Sequence, residues 1–297
     1  MAKLLSLTLA AAALAAPLGT VKQRVPAGIQ PDGMAVGAGA LWVANAGDDA
    51  VTRIDLRTHR ARRIPAGPGP IAVALAHGRV WVADYGGTTV TVLSAASGRK
   101  RGQVTVGSQP VGFAVAGRDL WVLNQGTGTA SIVDTATAKV TATVKLAAGM
   151  GFGAFAAGSV WVPGFEGSST VERLDPGTHA VTATIPVGKL PVELAFGAGS
   201  AWVVNGGSAS VSRVDLATDA VTATIAVPKE PTGITFARGR VWVADIDAGT
   251  VVAIDPATNR PVGSVKVGYG LRDVAVVGRD LWVADFNAND VARVRLR

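Results

Sequence analysis

The sequence predicts an all-β chain folded as a seven-bladed β-propeller, with four antiparallel strands in each blade. Three observations predict it. First, all seven tryptophans sit on one five-residue beat, which begins as Leu41-Trp42-Val43-Ala44-Asn45 and recurs at Trp81, Trp121, Trp161, Trp202, Trp242 and Trp282. The steps between them are 39, 40, 40, 41, 40 and 40 residues, and a fixed period of this length marks a repeat architecture. Second, the beat is apolar at successive positions, so both faces of its strand must be covered. A sheet with one wet face would alternate instead. Third, the strand before the beat carries small residues (Gly33, Ala35, Gly37; Ala72, Ala74, Ala76), as needed where strands crowd near an axis. Small sheets set radially, tapering toward a common axis, make a propeller.

The chain begins with Lys3 and an apolar run over residues 4–16, with Ala13-Leu14-Ala15 fitting a small-x-small cleavage pattern. This reads as a secretory signal peptide over residues 1–16 and predicts an exported protein, periplasmic or secreted. The remaining segment, 17–297, is expected to be one propeller domain. Turn residues interrupt its apolar runs before they reach the roughly 18 residues of a membrane span, so no transmembrane segment is expected after leader removal. There is no Cys, which excludes disulfides, thiolate catalysis and Cys-ligated metals.

One repeat shows the blade. Residues 191–196 form a strand a, and a Gly-Ala-Gly turn follows. Residues 201–204 form strand b, 205–209 a polar loop, 210–214 strand c, and 221–227 strand d. Short strands bounded by turn residues make an antiparallel meander. Asp175-Pro176 and Asp255-Pro256 suit a type I turn between c and d. The last repeat stops after strand c, at residues 291–297. The segment near residues 20–26 has the pattern of a strand d, so it is expected to complete the last blade and close the ring. Closure removes edges that would invite aggregation, and the protein is expected to be a monomer.

The unit Trp-Val-Ala-Asn, followed by Val-x-Arg-Ile-Asp-x-x-Thr and Pro-x-Gly, resembles the YVTN repeat of YncE-like propellers, with Trp in the Tyr place. It is also similar to the repeat of the virginiamycin B (streptogramin) lyase family. The YncE-like resemblance implies an exported binding protein, in some members with affinity for DNA. The lyase resemblance implies opening of a cyclic depsipeptide by elimination, with a catalytic His and acidic Mg²⁺ ligands above the central channel.

In such a meander the a–b and c–d turns share one face, here the bottom. The b–c loops and d–a connectors share the other, the top. Residues common to all blades are explained by the blade, so the departures carry the functional information. Asn or Asp three after Trp (Asn45, Asp84, Asn124, Asn205, Asp245, Asp285) recurs in six blades and is expected to bond its own loop. Tyr85, Phe165 and Phe286 place aromatics on the top, with Glu166 and Asp247 one residue further along the equivalent loops. Two after the Pro position, Phe152, Glu193 and Asp273 replace the usual Gly or Ala, and Arg272 stands beside the last. Carboxylates near a crowded axis need a partner. Glu193 and Asp273 are expected to pair with Arg272 or, alternatively, to hold a divalent cation; no other cofactor is expected. Blade 4, which lacks the Pro, is the leading candidate for a binding rim.

His77, His59 and His179 all fall in bottom turns, and His59 and His179 are expected to be solvated. None is then available above the channel as the general base that lyase chemistry implies. The Trp-Val-Ala-Asn beat also departs from the lyase repeat Trp-Phe-Thr-Glu. These features favour a non-catalytic binding or scaffold protein whose top face takes a small-molecule, peptide or protein partner. A lyase-like or metal-dependent enzyme using Glu193, Asp273 and Glu166 is the alternative.

Charge suggests a third reading. Formal net charge is +7, and +6 once Lys3 leaves with the leader. Arg57, Arg60, Arg62, Arg63, Arg99, Lys100 and Arg101, with Arg293 and Arg295 of the closing blade, are expected to form a basic band on blades 7, 1 and 2. Such a band suits an anionic polymer, envelope surface or DNA.

Overall fold

The computed structural model describes residues 18–146, 150–164 and 167–297. The expected leader at residues 1–16 lies outside them, as do Phe165 and Glu166. Twenty-eight strands form seven four-stranded antiparallel sheets among the described residues. The first strand, β1, spans Gly19–Pro26. Blade 1 is β2 (Pro31–Gly37), β3 (Ala40–Asn45), β4 (Ala50–Asp55) and β5 (Ala61–Pro65). Blade 2 is β6 (Pro70–Ala76), β7 (Arg79–Asp84), β8 (Thr89–Ser94) and β9 (Lys100–Thr105). Blade 3 is β10 (Pro110–Ala116), β11 (Asp119–Asn124), β12 (Thr129–Asp134) and β13 (Lys139–Lys145). Blade 4 is β14 (Ala154–Ala156), β15 (Ser159–Pro163), β16 (Thr170–Leu174) and β17 (Val181–Pro186). Blade 5 is β18 (Pro191–Gly197), β19 (Ser200–Asn205), β20 (Ser210–Asp215) and β21 (Val221–Ala226). Blade 6 is β22 (Pro231–Ala237), β23 (Arg240–Asp245), β24 (Thr250–Asp255) and β25 (Arg260–Lys266). Blade 7 is β26 (Leu271–Val277), β27 (Asp280–Asp285) and β28 (Asp290–Leu296), completed by β1.

The ring closes as the sequence predicts. β1 runs antiparallel to β28, pairing Gly19 with Leu296 and Pro26 with Asp290. Val25 of β1 is buried with Trp282 and Val291 against Leu41, Val43 and Ile54 of blade 1.

The hydrophobic core lies between blades rather than inside any one of them. One cluster joins Trp42, Ala44 and Val51 of blade 1 to Val80, Val82 and Leu93 of blade 2. That is why the beat strand is apolar on both faces. Every Trp is at most 2% exposed. Five indoles (Trp42, Trp81, Trp161, Trp202, Trp242) donate Nε1–H to the carbonyl five residues earlier, at the end of strand a. An aromatic of this size fills the gap between diverging sheets, and its polar edge finds a partner at the bottom.

The recurrent Asn/Asp does the local work expected of it. Asn45 accepts from Gly28 N–H at 3.1 Å and donates to Thr52. Asp84 accepts from Gly67 N–H and from the Thr89 and Thr91 hydroxyls. Each such residue is buried and fastens the top loop of its blade. The c–d turns use a second device: Asp55 Oδ1 accepts both backbone and hydroxyl protons of Thr58 and the Arg57 N–H. Asp134, Asp175 and Asp215 repeat it.

The expectation of solvated histidines in the c–d turns is corrected. His59 of blade 1 meets Trp282 of blade 7 edge-on at 5.5 Å, and His179 of blade 4 meets Trp121 of blade 3 at 5.3 Å. The c–d turn of each of these blades caps the tryptophan of the blade before it. Elsewhere an arginine makes the connection: Arg79 covers Trp81 and donates to the Thr135 and Ala136 carbonyls of the next blade. Arg173 covers Trp161 and pairs with Asp219 of the next blade at 2.8 Å. Arg213 covers Trp202 and donates to Asn259 and the Pro256 carbonyl.

Candidate binding cavity

The seven copies of strand a begin at the top of the channel. The residue after the Pro position comes from every blade: Asp32, Ile71, Val111, Gly151, Val192, Thr232 and Arg272. All seven line one cavity of about 600 Å³. That volume lies within the range of about 300–1,000 Å³ typical of small-molecule sites. The backbones crowd here. A Cβ at Gly33 would stand 2.5 Å from the Ile71 carbonyl oxygen of the neighbouring blade, so this position has no room for a side chain.

The wall divides into two arcs. Blades 2 to 4 present Ile71, Tyr85, Val111, Met150 and Phe152. Blades 5, 6, 7 and 1 present Glu193, Glu230, Thr232, Arg272, Asp273 and Asp32, set among the apolar Leu190, Val192, Pro231 and Ile246. On the apolar side the polar tips are already engaged. Tyr85 donates its hydroxyl to Gln125 at 2.9 Å, and the Gln125 amide donates to the Met150 carbonyl at 3.1 Å. This chain ties blades 2, 3 and 4 together and turns carbon toward the channel.

The carboxylates differ from one another. Strand a is the innermost edge of each blade, so its inward N–H groups lack a ladder partner and must bond elsewhere. Glu193 Oε2 reaches across to blade 6 and accepts from Ile234 N–H at 3.2 Å. Asp273 Oδ2 reaches across to blade 1 and accepts from Met34 N–H at 2.6 Å, while Oδ1 accepts from Val274 N–H. Asp32 accepts no hydrogen bond among the described residues. The Arg272 guanidinium lies over the Phe286 ring at 4.6 Å, and its Nε is buried without a hydrogen-bond partner.

This arrangement favours the neutral acids. Burial pushes Glu193 well above the usual carboxylate range, helped by the nearby Asp273 and Asp32 and opposed by the Ile234 bond. Burial also lifts Asp273 to about 7, against the two backbone N–H bonds that favour its anion, with Asp32 adding to the rise. Asp32 rises to about 6 through burial, with Arg272 pulling the other way. Several acids in one poorly solvated channel cannot all ionise cheaply.

Five predicted residues therefore come together in the cavity: Tyr85, Phe152, Glu193, Arg272 and Asp273. Phe286 stands behind Arg272 as its stacking partner. Asp247 is exposed on its loop and does not line the cavity. The expected pairing of Glu193 and Asp273 with Arg272 is corrected: no ion pair joins them among the described residues, because both carboxylates turn to backbone N–H groups of the next blade. The alternative of a divalent cation also lacks support. No group of three or more His, Asp or Glu side chains able to hold a metal occurs among the described residues.

Sequence comparison of the repeats missed Asp32, Gln125, Glu230 and Thr232. Asp32 had a legible signal. It follows Pro31 directly, in a column otherwise held by Ile71, Val111, Gly151, Val192, Thr232 and Arg272.

The basic band is partly neutralised. Arg63 pairs with Asp48 at 2.8 Å, and Arg293 and Arg295 both pair with Asp280. Arg62 donates to the Ser97 carbonyl. Arg293 and Arg295 lie on β28, which β1 covers as the outer strand. Arg57, Arg60, Arg99, Lys100 and Arg101 are exposed and make no ion pair among the described residues. They leave a smaller basic patch on blades 1 and 2 in place of a continuous band. His59, His77 and His179 all lie in bottom turns, across the ring from the cavity.

No protein-family model matches the chain, and no curated protein matches it in sequence. Solved structures do match in shape. A streptogramin B lyase aligns with TM-score 0.81 at 14% identity, covering 93% of this chain and 97% of its own. Virginiamycin B lyase from Staphylococcus aureus aligns with TM-score 0.82 at 14% identity, over 93% and 99%. BamB from Moraxella catarrhalis aligns with TM-score 0.67 at 14% identity, over 90% and 84%. At such identities the likeness is one of fold: the chain is a seven-bladed β-propeller with the architecture of the streptogramin lyases.

Proposed function

We propose that this chain is an exported, non-catalytic binding propeller that takes a small-molecule or peptide ligand in its top cavity. The observation that carries the reading is the cavity itself, largely apolar, with its acids gathered on one side. Pockets that bind ligands combine these two surfaces, the first for burial and the second for orientation. The placement of the histidines supports binding over elimination, since a general base must reach the proton it removes. Export rests on the apolar segment at residues 4–16, and N-terminal sequencing of the mature protein tests it; a start at Ala16 or Pro17 is expected, and an uncut Met1 refutes it.

Two experiments test the binding role. A thermal-shift screen of small molecules and short peptides is expected to find stabilising ligands for the wild type. Ile71→Trp, which fills the cavity from the partly exposed Ile71 of blade 2, is expected to abolish those shifts while preserving the fold. Ligands that stabilise both proteins equally would refute the cavity as the site. Incubation with a streptogramin B, followed by chromatography, is expected to return it intact; ring opening would refute the non-catalytic reading.

A further inference from the structure

The two arcs and the state of each acid together narrow the class of ligand. We propose that the cavity binds an amphipathic organic cation, an ammonium group on an apolar body, with its charge at Asp32 and its body against Ile71, Tyr85 and Phe152. This rests on the cavity being a binding site.

Among the described residues, four acids line the cavity (Asp32, Glu193, Glu230 and Asp273) against the one base Arg272, in a chain whose overall charge is positive. They are not equally available. Asp273 spends both oxygens on backbone N–H groups, and Glu193 spends one. Glu230 is exposed at the rim. Asp32 is half-buried, faces the channel and accepts no hydrogen bond among the described residues. A carboxylate held there is costly unless a donor reaches it. An N–H cation supplies a charge-assisted hydrogen bond, roughly twice as strong as a neutral one.

Other ligand classes fit less well. Arg272 acts on Asp32 through its field but forms no ion pair with it; Phe286 covers one face of its guanidinium, and its buried Nε has no hydrogen-bond partner. An anion drawn to Arg272 would stand among four acids. A neutral ligand would leave Asp32 without a partner. Around the ring, blades 2 to 4 offer an apolar surface whose phenol and amide are tied to one another, so the remainder of the ligand must be carbon-rich.

Titration calorimetry of the full chain at pH 7.5 with three probes of one shape tests the proposal: 4-phenylbutylamine, 4-phenylbutanol and 4-phenylbutyrate. The amine is expected to bind at least tenfold more tightly than the alcohol, and the carboxylate more weakly than either. Asp32→Asn is expected to weaken the amine at least tenfold and to change the alcohol less than twofold, with Asp32→Glu restoring part of the loss. Phe152→Ala is expected to weaken amine and alcohol by the same factor. The melting temperature of each variant shows that it is folded. If amine and alcohol bind equally and Asp32→Asn changes neither, the cationic class is refuted while the cavity remains a binding site. Tightest binding by the carboxylate also refutes it, making Arg272 the anchor. If none of the three binds, the proposal fails, and the Ile71→Trp screen decides separately whether the cavity binds anything.

Discussion

Replacing Asp32 by Asn isolates the electrostatics of the cavity, because the side chain makes no hydrogen bond and the substitution changes little but charge. Burial lifts this carboxyl from its ordinary 3.8 to about 6. A carboxyl whose folded-state value lies above its unfolded one holds its proton more tightly in the folded chain. Between about pH 4 and 6 the folded chain therefore carries more protons, so stability is highest at the acid end, falls as pH rises and levels off above 6. Two units at about 1.4 kcal/mol each set a ceiling of roughly 3 kcal/mol on the loss. The channel is open at its mouth, so solvent screening reduces this to about 2 kcal/mol, by the high effective dielectric of such sites. For a chain of this size that is roughly 3–4 °C in Tm. Asp273, lifted to about 7, extends the same fall to higher pH. The turn aspartates act in the opposite sense and in another window. Asp55, Asp134, Asp175 and Asp215 are held below their usual value, chiefly by the hydrogen bonds of Thr58, Thr137, Thr178 and Thr218. Their contribution is complete above about pH 4 and is lost only below it. Scanning calorimetry from pH 4 to 8 at constant ionic strength is the assay. The wild-type Tm is expected to fall across that range. Asp32→Asn is expected to match the wild type at pH 4 and to exceed it by about 3–4 °C at pH 8, since it also relieves Glu193 and Asp273. A wild-type Tm that rises with pH, or a variant less stable than wild type at pH 8, refutes the account.

Three further outcomes are expected. Asp219→Ala removes both oxygens that bond Arg173 between blades 4 and 5 and should cost about 1–3 kcal/mol in urea unfolding, the penalty for stranding a partly buried charged donor. Asp219→Asn should recover part of it, because Asn259 fills the same role for Arg213. Deleting residues 1–26 removes β1 and bares the edge of β28; light scattering should show the full chain as a monomer and the truncated chain as aggregates. If the basic patch binds anionic polymers, neutralising Arg57, Arg60, Arg99, Lys100 and Arg101 together should lower the salt needed for elution from heparin and flatten the salt dependence of DNA binding. Unchanged elution would show the patch to be a solvated surface.

Much of this molecule was legible because a propeller repeats its reasons. Seven tryptophans at one period, an apolar strand with both faces covered, and a final repeat short of one strand were enough to give blade number, strand order and the closure by β1. The top and bottom faces followed from the meander alone, and so did the placement of all three histidines. Local devices were readable for the same cause: the buried Asn/Asp after each Trp and the Asp-x-x-Thr turn depend on neighbours within their own blade.

What lay beyond the sequence depends on contacts between blades. Glu193 and Asp273 stood out by type, but only the packing shows that they turn to Ile234 and Met34 of the next blade rather than to Arg272. His59 and His179 looked like solvated turn residues until the ring set them against tryptophans of the preceding blade. The band of arginines was visible as a count, whereas Asp48 and Asp280 neutralise part of it through the fold. Sequence periodicity by itself determined the architecture, because each blade repeats the same short-range chemistry. Only the closed ring decided the cavity, because its wall takes side chains from all seven blades, and their availability depends on which neighbours they meet.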